Sequence, residues 1–161
     1  MKKLVLLTLI PLSVLADEIS WSSDCTSTNC GTTIDGNDTV TGNGDITTTA
    51  TAIYLIGSSS NTLDLTGDIT TTGVGAHGIR IRDSDSNTIT MKGDITTNEA
   101  IGINLSDGSE SNTINMTGDI TTTGDGTAGH ITWINNVDLN TLTLEGNFTT
   151  TGDTARVLYL G

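Results

Sequence analysis

The sequence predicts an all-β protein: a parallel, right-handed β-helix, or β-solenoid, of about five coils with three short strands in each coil. Three observations predict this fold: a recurring twelve-residue block, strict alternation of apolar and polar residues within it, and few bulky apolar residues. Hydrophobic residues make up 34% of the 161 positions and aromatic residues only 3%. Such a chain cannot fill a thick core, but it can fill thin apolar strips between stacked coils.

The first element, residues 1–16, has the pattern of a secretory signal peptide. Two lysines precede an apolar stretch from Leu4 to Leu15, and Ala16 places a small residue where signal peptidase cleaves. This stretch contains Pro11 and is too short to cross the ~30 Å hydrocarbon core of a bilayer as a helix. We therefore expect cleavage after Ala16 and export of the mature chain.

The next element, residues 17–36, is predicted to be an N-terminal cap that contains both cysteines, Cys25 and Cys30. In an oxidising exported compartment, this pair predicts a local disulfide. A metal site is the alternative, but it lacks further ligands because neither His77 nor His130 is nearby in sequence.

The last element, residues 37–161, is predicted to form the solenoid because it carries the repeat. Four twelve-residue blocks, at 61–72, 87–98, 112–123 and 140–151, align without insertion, and a degenerate copy precedes them. Apolar and polar residues alternate through each block, which is the two-residue period of a strand. Each block therefore predicts two strands with a glycine between them.

A third strand is predicted after a loop whose length differs from coil to coil. The repeat glycines are spaced by 23 to 28 residues, and loops absorb such variation more readily than strands. Alternation places two residues of each third strand inside the coil. The predicted inward pairs are Ile53 and Leu55, Ile79 and Ile81, Ile103 and Leu105, Ile131 and Trp133, and Leu158 and Leu160.

Stacked coils place equivalent residues above one another at the strand spacing of ~4.8 Å. Stacked asparagines can hydrogen-bond to their counterparts in neighbouring coils, and a repeated glycine permits a backbone conformation that is costly for other residues. The predicted structural repeat residues are Asn61, Asn87, Asn112 and Asn140, with Gly67, Gly93, Gly118 and Gly146.

The charge of the chain excludes some partners. Its formal net charge of −13 should repel phosphate backbones and anionic membrane surfaces, so we expect no nucleic-acid partner. A row of acids could gather calcium, but one carboxylate per coil coordinates poorly and the calcium-binding Gly-Gly-x-Gly-x-Asp repeat is missing, so no metal site is predicted. This row is Asp45, Asp68, Asp94 and Asp119, and it ends at Asn147.

The histidines and central arginines do not predict an active site. His77 and His130 fall two coils apart, roughly 10 Å at the strand spacing, which is too far for a shared proton relay. Arg80 and Arg82 should point outward and pair with nearby acids such as Asp83. We therefore expect no catalytic residue and no cofactor.

Threonines support an alternative function. Alternation places two residues of the second strand of each coil on the outer surface, in a flat Thr-x-Thr array that resembles insect-type ice-binding proteins. Threonine is also an ordinary residue for an exposed strand. The predicted ice face comprises Thr47, Thr49, Thr70, Thr72, Thr121, Thr123, Thr149 and Thr151, and its two rows continue through Thr96 and Asn98, respectively.

Two of the blocks resemble the repeats of bacterial autotransporter passenger domains. These are Asn-Thr-Ile-Thr-Met-Lys-Gly-Asp-Ile-Thr-Thr-Asn at 87–98 and Asn-Thr-Ile-Asn-Met-Thr-Gly-Asp-Ile-Thr-Thr-Thr at 112–123. The resemblance covers about residues 37–161. It implies a Gram-negative bacterium, export by the type V route, and a protein of the cell surface or outer membrane, or a secreted one. It also implies adhesion to a surface or host ligand that the repeats do not identify.

The family also carries a C-terminal translocator barrel, whose amphipathic strands do not occur in these residues. We expect either the N-terminal piece of a longer gene, held in the outer membrane by that barrel, or a short exported solenoid. An open last coil is expected to favour self-association. The predicted function is that of a structural and adhesion protein without catalytic activity, with ice binding as the alternative.

Overall fold

The structure is a computed structural model that describes residues 18–21, 23–31 and 33–161. The predicted signal peptide lies outside the described residues. Two short 3-10 segments occur, at Thr28–Gly31 and Gly126–Gly129. The strands are, in chain order, β1 (Glu18–Trp21), β2 (Thr39–Asn43), β3 (Ile46–Thr48), β4 (Ile53–Ile56), β5 (Thr62–Thr66), β6 (Ile69–Thr71), β7 (Ile79–Arg82), β8 (Thr88–Lys92), β9 (Ile95–Asn98), β10 (Ile103–Ser106), β11 (Thr113–Thr117), β12 (Ile120–Thr123), β13 (Thr132–Asn135), β14 (Thr141–Glu145), β15 (Phe148–Thr150) and β16 (Leu158–Leu160).

The strands form three parallel sheets that run along the rod. The first sheet has the order β1-β2-β5-β8-β11-β14, the second β3-β6-β9-β12-β15, and the third β4-β7-β10-β13-β16. Each coil from β2 onward therefore contributes one strand to each sheet. This confirms the predicted parallel solenoid of about five coils with three strands per coil, whereas the right-handed sense of winding stays a prediction.

The core is a set of aliphatic columns inside the coil. In β5 the side chains of Leu63 and Leu65 are buried while their neighbours are exposed, and the other strands of the first sheet repeat this alternation. Burial of each such side chain contributes about 1.5–3 kcal/mol, and the columns supply that burial in every coil. One column in the second sheet consists of Ile46, Ile69, Ile95, Ile120 and Phe148, as the repeat predicts.

One predicted inward pair is half wrong. The third-sheet register aligns Ile103 with Thr132 and Leu105 with Ile134, so the strand residues that face inward in this coil are Thr132 and Ile134, and Trp133 faces outward. Ile131, just before the strand, is fully buried in the core as predicted. In the sequence, residues 131 and 133 or residues 132 and 134 could equally well be the inward set of an alternating strand. Stacking on the neighbouring strand selects 132 and 134, because this choice keeps the core columns aligned. The inward Thr132 hydroxyl donates to the carbonyl oxygen of Val157 at 2.8 Å, which satisfies a buried polar group.

The repeated asparagines form a buried ladder between the third and first sheets. Asn87 Oδ1 accepts two hydrogen bonds from Asn61, one from its backbone N–H at 3.0 Å and one from its side-chain amide at 2.9 Å. The backbone N–H and the side-chain amide of Asn87 donate in the same way to Asn112 Oδ1. The Asn87 amide also donates to the Ser58 carbonyl at 3.1 Å. The ladder needs amides because each side chain must both donate and accept.

The repeated glycines allow the backbones of successive coils to touch at the bend between the first and second sheets. Gly93 has φ of 142°, and a Cβ built there would lie 2.2 Å from the carbonyl oxygen of Gly67. Glycine is required at this point both for the backbone conformation and for the close approach.

A partial coil covers the N-terminal end of the core. The strand β1 extends the first sheet beside β2, and Cys25 bridges to Ile46 in the second sheet. Cys25 and Cys30 form a disulfide with Cα atoms 5.4 Å apart. The Trp21 indole occupies the space that a side chain at Gly42 would fill, because a Cβ there would lie 2.2 Å from the ring. The segment predicted as a cap is thus an irregular extra coil.

Candidate interaction surfaces

The outward side of the second sheet is a flat array of threonines, here called the threonine face. Thr47, Thr70, Thr96, Thr121 and Thr149 lie in register on neighbouring strands. A second row lies beside the first at Thr49, Thr72, Asn98, Thr123 and Thr151, and its residues are exposed or partly exposed. Within this row the Thr123 hydroxyl donates to Asn98 Oδ1 at 2.8 Å. The face therefore contains the residues predicted for the alternative function.

The predicted row of acids lies at the glycine bend and bonds to the backbone. The Asp45 carboxylate accepts the backbone N–H of Asp68 at 2.8 Å, and each later acid binds the next coil in the same way. The hydrogen bond from the Asn147 backbone holds the pKa of Asp119 below its usual range. Within the described part of the chain, no three His, Cys, Asp or Glu side chains are placed to hold a metal ion together.

The hydrogen bonds of the asparagine ladder and of the aspartate row point in opposite directions along the rod. In the asparagine ladder the N–H of one coil donates to the side chain of the following coil. In the aspartate row the N–H of one coil donates to the side chain of the preceding coil. Each coil is therefore tied at two corners to both of its neighbours, which fixes the register and keeps the outer faces in line.

The outward side of the third sheet breaks the threonine pattern, and we call it the aromatic–arginine face. Its central row consists of Tyr54, Arg80, Asn104, Trp133 and Tyr159, aligned on neighbouring strands. This row holds three of the five aromatic residues of the chain, and all three arginines lie on or beside this sheet. Sequence analysis missed the face because it misassigned Trp133 to the core.

The arginines of this face have different partners. Arg82 Nε lies 3.1 Å from the carboxylate of Asp107 and 3.4 Å from that of Asp83, the acid expected for it. The guanidinium of Arg80 lies instead over the Tyr54 ring, 5.5 Å from its centroid. Such a contact is a cation–π interaction, which leaves most N–H donors of the arginine unused.

His77 is held in its neutral form beside Arg80. Its Nδ1 accepts the backbone N–H of Ile101 at 3.1 Å, so the ring proton belongs on Nε2. The Asn104 amide lies 3.3 Å from Nε2. With its oxygen turned toward the ring, this amide accepts a hydrogen bond from the Nε2–H group. Burial and, to a smaller extent, the Arg80 charge together lower the pKa of His77 to about 4.

His130 occupies the place equivalent to His77 two coils further along and lies against aromatic rings. Trp133 and Tyr159 are stacked, with centroids 4.1 Å apart and planes inclined by 12°. The His130 ring lies 5.4 Å from Trp133 and 5.6 Å from Tyr159. Burial lowers the pKa of His130, so this imidazole also favours its neutral form. The two histidines thus belong to separate clusters.

No family model, no curated protein and no solved structure matches the chain. In the described residues, no helix has the length and apolar character needed to cross a membrane.

Proposed function

We propose that this chain is an exported, non-catalytic display rod of the autotransporter-passenger type, which contacts other surfaces through its outward faces. Five coils in register support this proposal, because they turn single residues into rows that extend along the whole rod. Rigid rows present many weak contacts at once, and binding through many contacts gains strength without requiring a deep pocket. The signal pattern of residues 1–16 and the autotransporter-like repeats support export to a cell surface.

The experiment compares the attachment of beads coated with native chain and with a variant whose faces are disordered. Gly93→Ala provides that variant, because its Cβ would collide with the Gly67 carbonyl and break the stacking. We expect native beads to attach to host cells or abiotic surfaces and variant beads to lose attachment. Equal attachment by both sets of beads would contradict a role for the solenoid.

Export has a test of its own. Expressed in a Gram-negative host, the full chain should leave the cytoplasm and begin at Asp17 when its N-terminus is sequenced. A cytoplasmic chain that retains Met1 would contradict export.

Ice binding remains a second candidate because the threonine face is in register over five strands. Wild-type chain would then inhibit ice recrystallisation, and Thr121→Tyr would abolish the effect by placing a bulky ring on this face. Thr90→Tyr, on the outward side of the first sheet, is the matched control and should retain full activity. An inactive wild-type chain would dismiss this candidate.

A further inference from the structure

The aromatic–arginine face contains an open cleft near its C-terminal end. The cleft has a volume of about 200 Å³, enough space for a group the size of one sugar ring. Its aromatic walls are fixed because Trp133 and Tyr159 lie on neighbouring strands in register and stack on each other. The cleft is lined by Gly126, His130, Trp133, Thr154, Arg156 and Tyr159.

Arg156 supplies a positive charge and has no carboxylate within 4.0 Å among the described residues. Its guanidinium lies 5.6 Å from the centroid of the Tyr159 ring. The ion pairs within 4.0 Å among the described residues both belong to Arg82, although the chain has nineteen acidic residues. An exposed guanidinium held over a ring keeps its planar set of donors, which matches a carboxylate in two-pronged geometry.

The chemistry of the cleft selects the class of ligand. The cleft lies on the outward side of the third sheet and is lined by side chains, whereas a peptide strand would add at the edge of β16 and would not fill the cleft. The net charge of −13 opposes every polyanion, whether a nucleic acid or a uniformly acidic glycan, so the ligand of this cleft carries an isolated charge. A sugar offers C–H groups for the aromatic walls and hydroxyls for the Thr154 side chain, and a single acidic sugar unit adds a carboxylate for Arg156.

We propose that this cleft binds a carboxylate-bearing sugar unit of a glycan, with Arg156 pairing with the carboxylate and the outer edges of the stacked Trp133 and Tyr159 rings contacting the sugar. The site rests on the proposed function as a surface-contact rod and names the ligand class for it. The chain of the glycan runs over the face toward Arg80, which meets further oxygen atoms.

Isothermal titration of the purified chain with an acidic hexamer, a maltohexaose in which one unit is glucuronic acid, tests the site, with uncharged maltohexaose as the comparison probe. We expect saturable binding of the acidic hexamer and affinity for maltohexaose at least about tenfold weaker, because one charged hydrogen-bonded pair is lost. Absence of binding to millimolar hexamer would overturn the proposal. Equal affinity for the two probes would overturn the role assigned to the carboxylate.

Variants locate the binding on this face. Arg156→Gln should weaken hexamer binding about tenfold, and Trp133→Thr should weaken it at least as much. Arg82→Gln is the matched control, because Arg82 is on the same sheet but already paired with two acids, and it should change affinity by less than about twofold. An Arg82→Gln loss equal to that of Arg156→Gln would contradict the site.

Bead attachment separates failure of the site from failure of the proposed function. If Arg156→Gln beads attach like native beads while the hexamer fails to bind, the display function stands and the glycan site is wrong. If the hexamer binds but native beads attach no better than Gly93→Ala beads, the site stands and the display function is wrong.

Discussion

The core columns are covered at the N-terminal end of the rod and exposed to solvent at the C-terminal end. At the N-terminal end, β1, the disulfide and the Trp21 indole lie over the first complete coil, and Val40 and Ile53 there are fully buried. At the C-terminal end, Leu158 and Leu160 occupy the inward column but are 53% and 67% exposed. The inward direction of a side chain is therefore set by its own coil, whereas its burial depends on the next one.

This difference follows from the nearest-neighbour character of solenoids. Each coil buries its apolar residues against adjacent coils, so an uncovered coil exposes a full layer of the core. An open cavity of about 370 Å³ lies at the C-terminal end, with walls that include Leu142, Leu144 and Phe148. A special residue pair, Trp21 above Gly42, fills the corresponding space at the other end.

The largest effect should come from adding a methyl group at the glycine bend, where position along the rod sets the cost. Gly93→Ala in the middle and Gly146→Ala in the last coil both place a Cβ about 2 Å from a backbone carbonyl at positive φ. We expect a loss of at least about 4 kcal/mol of unfolding free energy at Gly93, because the added Cβ forces apart two coils in the middle of the stack. Chemical denaturation followed by circular dichroism measures this loss.

The same change at Gly146 should cost less, because the last coil can detach while the others remain stacked. Gly108→Ala is the control, since its Cβ meets nothing within 4 Å, and should cost about 1 kcal/mol through φ alone. Equal losses for Gly93→Ala and Gly146→Ala would show that the rod unfolds as one unit and that its ends are not independent.

The next largest loss of unfolding free energy should come from removing a tryptophan, and it should be larger for Trp21 than for Trp133. Trp21→Ala should uncover the N-terminal core and cost about 2–4 kcal/mol, because it empties the space above Gly42. Trp133→Ala removes an outward ring and should cost about 1 kcal/mol, mainly the loss of stacking on Tyr159. Thermal unfolding of the two variants measures the difference. Equal melting temperatures would mean that Trp21 does not cover the core.

Acid should destabilise the interior of the rod through His77. The folded pKa of about 4 lies below the unfolded value of 6.5, so this imidazole stabilises the fold above pH 6.5. That contribution falls as pH decreases from 6.5 and is lost below about pH 4, a total of roughly 3 kcal/mol. Denaturation at a series of pH values measures it.

His77→Gln is the comparison variant for the acid effect, because an amide oxygen can still accept the Ile101 N–H. Its unfolding free energy should fall less steeply than that of the wild type between pH 6.5 and 4. Parallel curves would contradict the assignment. The pKa of His130 is also lowered by burial, and the same test with His130→Gln measures its contribution two coils nearer the open end.

The smallest effect on stability should come from polar residues at the open end. Leu158→Ser with Leu160→Ser should change the unfolding free energy by less than about 1 kcal/mol, because both side chains are already largely exposed. The double variant should nevertheless self-associate less than the wild type in sedimentation velocity, because it removes apolar surface from the uncovered coil.

Ile56→Ser is the control for self-association, since Ile56 is 50% exposed on an outward face of the first coil. It should sediment like the wild type. Monomeric wild-type chain at all concentrations would contradict self-association through this end.

The sequence by itself determined the coil. Within each twelve-residue block the strands of the first and second sheets are joined by a bend of constant length, so alternation fixes both strands at once. It also predicted the positions of the asparagine ladder and the bend glycines, because these residues recur at fixed places in the block. Such features are local and are repeated in every coil.

Only the tertiary structure decided the phase of the third strand and the composition of its outer face. The loop before this strand varies in length, so sequence could not choose between Trp133 and Ile134 as the inward residue; alignment with Leu105 on the neighbouring strand chose Ile134. The same alignment placed Tyr159 of the last coil against His130 and Trp133 of the coil before it. Neighbouring coils impose register through hydrogen bonds and packing across more than twenty residues of chain, and no local pattern contains that information.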